Sequence, residues 1–582
     1  MESLFLFVLS KLFRFWLVLD KPLWQLARWL EIDLPFFGVP LRLPITIALT
    51  VFTLALVKFL PSVKKPWRNK ILVFLLITAW LIMLWAPIIV VAQSANVGGH
   101  KYWLLSDDAM ISMRYAKNLA AGQGLVWNPG EKVEGYTNFL WTIYMACLHL
   151  LPLSAGKIML GVLLTNLGLS ALTAWLIWHL TLKLGGKTAT AVLAVAAYTL
   201  SKISLGTSLT GLETTCLTFL VTLALSLIIQ QAQSGQNRAT PYLVISLIPL
   251  VRADGLFLAG LLFIFSFLTS PKKKLALIYI GAGLLPTLSL TIFRLAYYGE
   301  LLPNTAYLKM YALDSRLIAG WRYVWKFIQI YSLPLILAVA GCWAARRRHQ
   351  LWLLLFCLAF GFYVIFLGGD WFRNFRFFLP IWPLLLVLVF LGIQNLTRRP
   401  CYRWFWSYLC FFSIPLLLPG YQILNHEIDV FCRFDAANIE IGLLIKKNTA
   451  PEAKVADVAA GSIFYISDRY GIDLLGKIDK YIARLPAKTY IQEPGHNKFD
   501  FTYSLDILRP DIVVAGFRLP VSENQMKKLA TGNRAFVGQL YFDPVFQKHF
   551  LPYPVPVATS RAIFVADWSG EQANRLNWKG RK

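Results

Sequence analysis

Long apolar runs, broken by short polar and basic loops, dominate the chain. Mostly apolar runs of about 18 residues or more recur from residue 43 to residue 421, each long enough to cross a hydrocarbon core of roughly 30 Å. The pattern predicts about 11–13 membrane helices. After residue 421 the pattern changes. Short β-type runs such as Lys454–Ala459 and Asp511–Ala515 alternate with amphipathic stretches such as Ala437–Lys446. About 160 residues of this kind can bury a core of their own. The expected architecture is an all-α polytopic membrane body over 71–421 and a small α/β or α+β domain over 422–582. The first 70 residues form a membrane-associated extension. Its start, Met1–Asp20, carries Lys11 and Arg14 inside the apolar run and lacks the order of a cleavable signal peptide. It reads as a retained interfacial helix.

Composition agrees. Of the 582 residues 57% are hydrophobic and 15% are charged, against about 25% charged in an average soluble protein. A net charge of +27 would suggest nucleic acid in a soluble protein. Here Lys and Arg cluster in short loops, as cytoplasmic loops of membrane proteins do, and no nucleic-acid motif occurs. The seven cysteines are scattered without a CxxC motif, so neither a disulfide framework nor a zinc site is indicated.

The basic clusters set the expected topology. Lys64, Lys65, Arg68 and Lys70; Lys272 to Lys274; Arg346 to Arg348; and Arg398, Arg399 and Arg403 mark the inner face. The loop 93–136, the segments 299–320 and 369–376, and everything after the last run, about 405–421, then lie outside. The middle admits two solutions. If 137–151 spans, Lys183, Lys187 and Arg238 lie outside. If it is re-entrant or lies on the surface, Lys183 and Lys187 are inside, Thr210-Gly-Leu-Glu213 is outside, and a short or broken helix pair surrounds Arg252-Ala-Asp254. The second satisfies the charge rule throughout and sends every polar motif to one side.

Those motifs carry the candidate chemistry. Asp107 and Asp108 open an amphipathic helical stretch, Ala109–Ala121. A carboxylate in reach of a hydroxyl can take its proton, and a second beside it can tune it, orient it or help hold a metal. A helix cap explains the same residues. Glu134, Tyr136 and Asn138, in a turn-rich stretch, could bind a sugar or merely cap a helix. Glu213, Arg252 and Asp254 lie beside apolar runs, where ionisable groups face a cavity or a partner. Asn304 and Lys309 fall on one outer loop. Asp370, Arg373 and Arg376 fall on another, where arginines could hold phosphate and aromatics a sugar or prenyl chain. Asp473, Asp479, Lys480 and Arg484 precede Gly495-His496-Asn-Lys498 in the tail.

Together these residues resemble the bacterial GT-C membrane glycosyltransferases related to the mycobacterial terminal β-(1→2) arabinofuranosyltransferase and to pilin arabinosyltransferases. The resemblance rests on Asp107-Asp-Ala-Met-Ile-Ser-Met-Arg-Tyr, Gly124-Leu-Val-Trp-Asn-Pro-Gly-Glu and Glu134-Gly-Tyr-Thr-Asn-Phe-Leu-Trp. It continues through Gly211-Leu-Glu-Thr, Pro303-Asn-Thr-Ala-Tyr-Leu-Lys, Gly368-Gly-Asp and Arg376-Phe, and in the tail through Ile472-Asp-Leu-Leu-Gly, Asp479-Lys-Tyr-Ile-Ala-Arg and Gly495-His-Asn-Lys. It spans about residues 71–515. It implies a GT-C core in a bacterial inner membrane, a site opening to the periplasm, and inverting transfer of a sugar from a polyprenyl-phosphate donor, often an arabinofuranose. The acceptor would be a periplasmic glycan or a pilin-like protein. Two departures stand out: the relatives usually carry Arg-Pro-Glu-Gly where this chain has Arg252-Ala-Asp-Gly, and the first 70 residues look additional.

The expected mechanism follows. Asp108 or Asp107 deprotonates the acceptor. Lys309, Arg373, Arg376, Lys498 and His496 hold the donor phosphate. Glu134, Tyr136, Asn138, Glu213, Asn304, Asp370 and Asp479 contact sugar or acceptor. No motif names a cofactor; Asp107, Asp108 and Asp370 could supply oxygen ligands to a divalent cation such as Mg, Mn or Ca, though no spacing demands one. The alternative is a transporter or flippase of lipid-linked saccharides. The chain shows no clear internal repeat of the kind transporters carry.

Overall fold

The chain divides into two compact units, Met1–Leu56 and Val57–Lys582. The computed structural model describes residues 66–310, 313–345, 347–370, 372, 374–397, 421–488, 491, 495–517, 519–532, 534–553 and 561–568, all in the second unit. Most of the N-terminal extension, Arg346, Arg373, the cluster Arg398, Arg399 and Arg403, and nearly all of the run 405–421 lie outside the described residues.

The membrane body begins with α1 (Pro66–Pro87). A hairpin of β1 (Ser94–Val97) and β2 (His100–Trp103) leads into α2 (Asp107–Ala120) and α3 (Phe139–His149). Then come α4 (Ala155–Lys183), α5 (Thr188–Leu200), α6 (Lys202–Ser208), α7 (Thr214–Ser234), α8 (Thr240–Val251), α9 (Gly255–Thr269), α10 (Lys273–Tyr298), α11 (Asn304–Lys309), α12 (Leu313–Ala345) and α13 (Arg348–Leu367). A 3-10 stretch, Arg376–Ile381, runs into α14 (Trp382–Thr397). Among the described residues seven stretches are long and apolar enough to cross a membrane, or eight if the bent α5–α6 pair is one span. The expected total of about 11–13 also takes in apolar runs outside the described residues; of the shorter apolar helices, α3, α8 and α9 have 11, 12 and 15 residues. The spans sort by burial. The stretch ending in α14 sits inside the body, whereas α10, α12 and α13 expose Leu285, Ile292, Ile336 and Phe362 as a lipid-facing sheath. The chain is thus a multi-pass membrane protein.

The basic loops gather at one end. Arg347 Nη1 and Gln350 Nε2 donate to the Leu184 carbonyl at 2.7 and 3.2 Å, and Gln394 Nε2 donates to that of Gly185 at 3.0 Å. Lys183 donates to Gln230 at 3.2 Å, and Asn237 to the Lys272 carbonyl at 2.9 Å. Lys183, Lys187, Arg238, Lys272 and Arg347 therefore share one end of the bundle. The α8–α9 hairpin breaks at Arg252-Ala-Asp254, where Arg252 pairs with Glu213 at the opposite end, ahead of α7. This grouping of ends is the one the second of the two topologies calls for, and α3 is only 11 residues long.

The tail starts with α15 (Tyr421–Asn448). It continues through β3 (Lys454–Asp457), α16 (Ser462–Ser467), β4 (Tyr470–Asp473), α17 (Lys480–Arg484) and β5 (Ile512–Val514). After α18 (Glu523–Ala530), α19 (Ala535–Tyr541) and α20 (Pro544–His549), β6 (Phe550–Tyr553) and β7 (Ile563–Ala566) complete one sheet of order β4-β3-β5-β7-β6. The first three strands are parallel, with Val455 opposite Gly471 and Ile512; β7 is antiparallel to both its neighbours. Alternate strand residues serve opposite faces. Ala456, Val513 and Phe564 join Phe499, Phe536 and Phe546 in the tail's own core. Val455, Ile512, Val514 and Ile563 join Tyr115, Trp127 and Tyr136 of the membrane body. The second core docks the tail on the body.

Candidate active site

The docked face lies where α2 begins. The Asp107 carboxylate accepts from the amides of Gly461 and Ser462, at 3.1 and 2.8 Å, at the start of α16. Free amides at a helix start suit a carboxylate. A side chain at Gly461 would run into the Asp107 carbonyl, so glycine permits the close approach. Burial pushes the Asp107 carboxyl up to about 6, with Lys477 and the Ser462 amide pulling it back. Asp108 has a different setting. Its side chain is 28% exposed, with Arg376 Nη1 at 3.5 Å and Lys477 Nζ at 3.6 Å. Burial would raise this carboxyl, but Lys477, Arg376, Lys309 and His496 outweigh it and bring it to about 2. Both ion pairs exceed the roughly 2.7–2.9 Å of a direct charge-assisted bond. The carboxylate is held by charge without a short hydrogen bond.

Arg376 is fixed from the other side. Its Nε and Nη2 donate to the two oxygens of Asp370 at 2.5 and 3.1 Å, and its guanidinium lies 3.8 Å from the Phe372 ring centre. Asp370 is only 6% exposed and serves to aim Arg376. A narrow cavity beneath is lined by Arg376, Arg252, Asp254, Phe377 and Tyr363. Arg252 forms a bidentate pair with Asp254, at 2.8 and 2.7 Å, and reaches Glu213 at 3.3 Å. Asn138 donates to Glu213 at 2.8 Å and accepts from Ser112 at 2.9 Å. Glu213 and Asn138 thereby tie α2, α7 and the α8–α9 break into one polar layer.

Lys477 enters from the tail. Its turn is built by Asp473, whose oxygens accept from the amides of Leu475 and Ile478 at 3.0 and 2.8 Å. Gly476 takes φ +76°, and a Cβ there would meet Ile482 at 2.6 Å. Asn304 on α11 closes the turn, its Nδ2 donating to the carbonyls of Gly476, Lys477 and Asp479 at 3.0, 3.1 and 3.0 Å. Asp479 caps α17 through the Ile482 amide at 2.9 Å and accepts from Tyr503 at 3.1 Å. Asn304 and Asp479 thus act on the turn that presents Lys477. Sequence patterns missed Lys477. Its signal was a lone lysine between Leu474-Leu475-Gly476 and Ile478. Asp435 on α15 was missed too; burial, then Asp107 and Asp108, push its carboxyl well up.

The remaining candidates divide. Lys309 is exposed and electrostatically coupled to Asp370, Arg376, Arg252 and Asp108, and His496 is coupled to Asp108. Glu134 is buried against Arg294 Nε at 2.9 Å, and the Tyr136 hydroxyl bonds that of Tyr298 at 3.2 Å, so both tie the outer loop to α10. Lys498 donates to the carbonyls of Tyr307 and Ala483 at 2.9 and 2.8 Å. The structure therefore sets Arg376, Lys477, Lys309 and His496 around Asp108, beside Asp107 and with Asp370 behind Arg376, and engages Glu134, Tyr136, Asp479 and Lys498 in packing contacts. Among the described residues no group of three or more His, Cys, Asp or Glu side chains is arranged to hold a metal ion. The carboxylates here face amides and cations instead.

Residues 427–554 match a family described as a domain of unknown function, DUF8728. Over 345 residues the chain is 27% identical to the terminal β-(1→2)-arabinofuranosyltransferase of Corynebacterium glutamicum, covering 52% of this chain and 50% of that one. Over 292 residues it is 28% identical to the enzyme of the same name from Mycobacterium tuberculosis, covering 46% and 45%. The chain spans about half the length of the curated relatives it matches. Among solved structures, it is similar to ArnT from Cupriavidus metallidurans bound to undecaprenyl phosphate, with TM-score 0.47, 11% identity, and 84% and 98% of the two chains covered. It is also similar to the Archaeoglobus fulgidus oligosaccharyltransferase in complex with Zn and sulfate, with TM-score 0.48, 10% identity, and 85% and 73% covered. By sequence the chain is related, over about half its length, to the terminal β-(1→2)-arabinofuranosyltransferases.

Proposed function

We propose that the protein is an inverting glycosyltransferase that moves a pentose, arabinofuranose in the first instance, from a polyprenyl-phosphate donor to an envelope glycan or pilin-like acceptor. Its site faces the periplasmic side of a bacterial inner membrane. One observation carries the reading: Asp108 is a solvent-reached carboxylate flanked by Lys477 and Arg376. Base and phosphate-binding cations stand side by side, as transfer from a sugar phosphate needs.

In this reading the acceptor hydroxyl gives its proton to Asp108 as its oxygen bonds the anomeric carbon. The bond from that carbon to the phosphate oxygen breaks, and the polyprenyl phosphate leaves with the electron pair. Lys477, Arg376 and Lys309 stabilise the charge that develops on the phosphate. The same cations explain how a carboxylate held at about 2 becomes a useful base. When they turn to the donor phosphate, their hold on Asp108 weakens and its basicity rises. Substrate binding thereby arms the base. Asp107 anchors the tail and Asp370 aims Arg376. No step is routed through a metal ion.

The test is transfer from a synthetic polyprenyl-phosphate pentose in membranes. Asp108→Asn should lower kcat by roughly a hundredfold or more, the usual share of a general base. Asp107→Asn keeps one oxygen acceptor for one of the two amides and sets its NH2 against the other, so it should loosen the tail contact and lower kcat less than Asp108→Asn does. Full activity in Asp108→Asn would refute the assignment.

A further inference from the structure

Between the start of α12 and tail residues 483–487, 491, 497 and 498 lies a cavity of about 600 Å³. That volume is in the range of small-molecule sites. It is separate from the Asp108 cluster but shares α11 with it: Lys309 is coupled to Asp108, while Tyr307 lines the cavity. Its walls combine three properties. Arg322, Arg484 and Lys498 line it; Arg484 also pairs with Glu300 at 2.7 Å, and no acidic residue is itself on the wall among the described residues. Ile318 and neighbouring aliphatic side chains make the rest apolar. Asn497 on the wall is 1% exposed, and its Oδ1 has no hydrogen-bond partner among the described residues.

The cavity also has a level. α12 has 33 residues in two arms that meet at a kink at Tyr331, about 50 Å of helical rise in all against a hydrocarbon layer of roughly 30 Å. Its early turns carry Trp321 and Trp325, exposed and stacked with ring centres 5.8 Å apart. Exposed tryptophans mark the membrane–water interface, and Ile318 and Arg322 share those turns. A cationic, partly apolar cavity at that level suits an anionic headgroup still attached to its lipid. The unpaired Asn497 acceptor asks for a hydroxyl on the same ligand.

We propose that this cavity receives the sugar-phosphate headgroup of the lipid-linked donor as it arrives from the bilayer, before transfer at Asp108. The proposal rests on the donor reading above. Arg322 and Arg484 engage the phosphate, and a sugar hydroxyl donates to Asn497.

The test uses the full chain in nanodiscs, with three probes measured separately: a short-chain polyprenyl-phosphate pentose, phosphatidylglycerol and inorganic phosphate. Arg322→Glu reverses one charge, and Ile318→Trp fills the cavity; both positions are exposed on a helix, which keeps folding intact. Each variant should weaken sugar-lipid binding roughly tenfold, the loss of one charge-assisted contact, and raise KM while leaving kcat within about twofold of wild type. Equal sugar-lipid binding by wild type and both variants would overturn the docking site and leave the donor reading standing. A wild-type protein that binds no polyprenyl-phosphate sugar would overturn both. If only phosphatidylglycerol or only inorganic phosphate responds to the variants, the cavity is a phospholipid or ion site and the proposal fails.

Discussion

Asp107 and Asp108 are adjacent in sequence yet sit in opposite electrostatic settings. Asp107 is satisfied by two tail amides and raised by burial; Asp108 is lowered by cations. The dipeptide was visible in the sequence, but the split was not. It is set by Arg376, 268 residues away, and by Lys477, which comes from the tail domain. Lys477 is the strongest of the groups lowering Asp108, so removing it makes a pH prediction. The ordinary carboxyl value is 3.8, and the wild-type carboxyl stands near 2, so it stays ionised through neutral pH. In Lys477→Met the carboxyl rises. A base must be ionised, so activity should fall as pH drops through the raised value, and the acid limb of kcat/KM should move to higher pH. Lys477→Arg keeps the charge and should move the limb back. A pH–rate series on the three proteins checks this, and an unshifted limb in Lys477→Met would contradict it.

At the scale of elements, the reach of sequence reading depends on whether a pattern is local. The long spans were legible because twenty apolar residues in a row leave the chain few options in lipid. The broken hairpin at Arg252-Ala-Asp254 followed from alternating the basic loops. The short helices α3, α8 and α9 were set by the charge rule, since apolarity alone does not say whether a helix crosses. In the tail β3 and β5 were foreseen as apolar runs, but the sheet order, with β7 antiparallel beside β5, depends on contacts between distant segments. The turn after β4 shows the same limit. Asn304 resembled a sugar ligand on residue type, whereas its amide spans three carbonyls of the Lys477 turn. Asn304→Ala should cost about 1–3 kcal/mol through those unmet carbonyls and lower kcat by displacing Lys477. Asn304→Asp should do worse, because an ionised carboxylate accepts only and would face three acceptors. Thermal unfolding in detergent, with transfer rates on the same samples, checks the order. An aspartate variant as stable as wild type would show that the turn does not depend on Asn304.

For the whole molecule the decisive fact is that the cluster around Asp108 is assembled across two bodies of structure. The membrane body supplies Asp108 and Arg376, and the tail supplies Lys477. The surface that joins them centres on Arg114, a buried arginine with no carboxylate among its hydrogen-bond partners. Its guanidinium donates to the carbonyls of Trp127 and Phe464, both at 2.6 Å, to that of Arg469 at 2.8 Å and to Asn128 Oδ1 at 3.1 Å. It also lies 4.5 Å from the Trp127 ring centre, and that ring packs edge-on against Phe464. Two of those acceptors belong to the tail, so one side chain pins both bodies. Arg114→Met keeps much of the stem and its packing but removes four charge-assisted bonds, although the Trp127 carbonyl keeps Asn118, the Phe464 carbonyl keeps the Asp468 amide and Asn128 Oδ1 keeps the Gly471 amide. Each such loss costs about 1–3 kcal/mol, and water can relieve it only if the two bodies separate. The expected outcome is therefore a loosened tail on an intact membrane body. Limited proteolysis should release the tail from Arg114→Met at protease levels the wild type resists, while the membrane fragment stays folded in detergent. Transfer activity should fall with tail release, because Lys477 leaves with the tail. If the variant's tail stays protected while activity is lost, Arg114 acts on the site itself and the docking account is wrong.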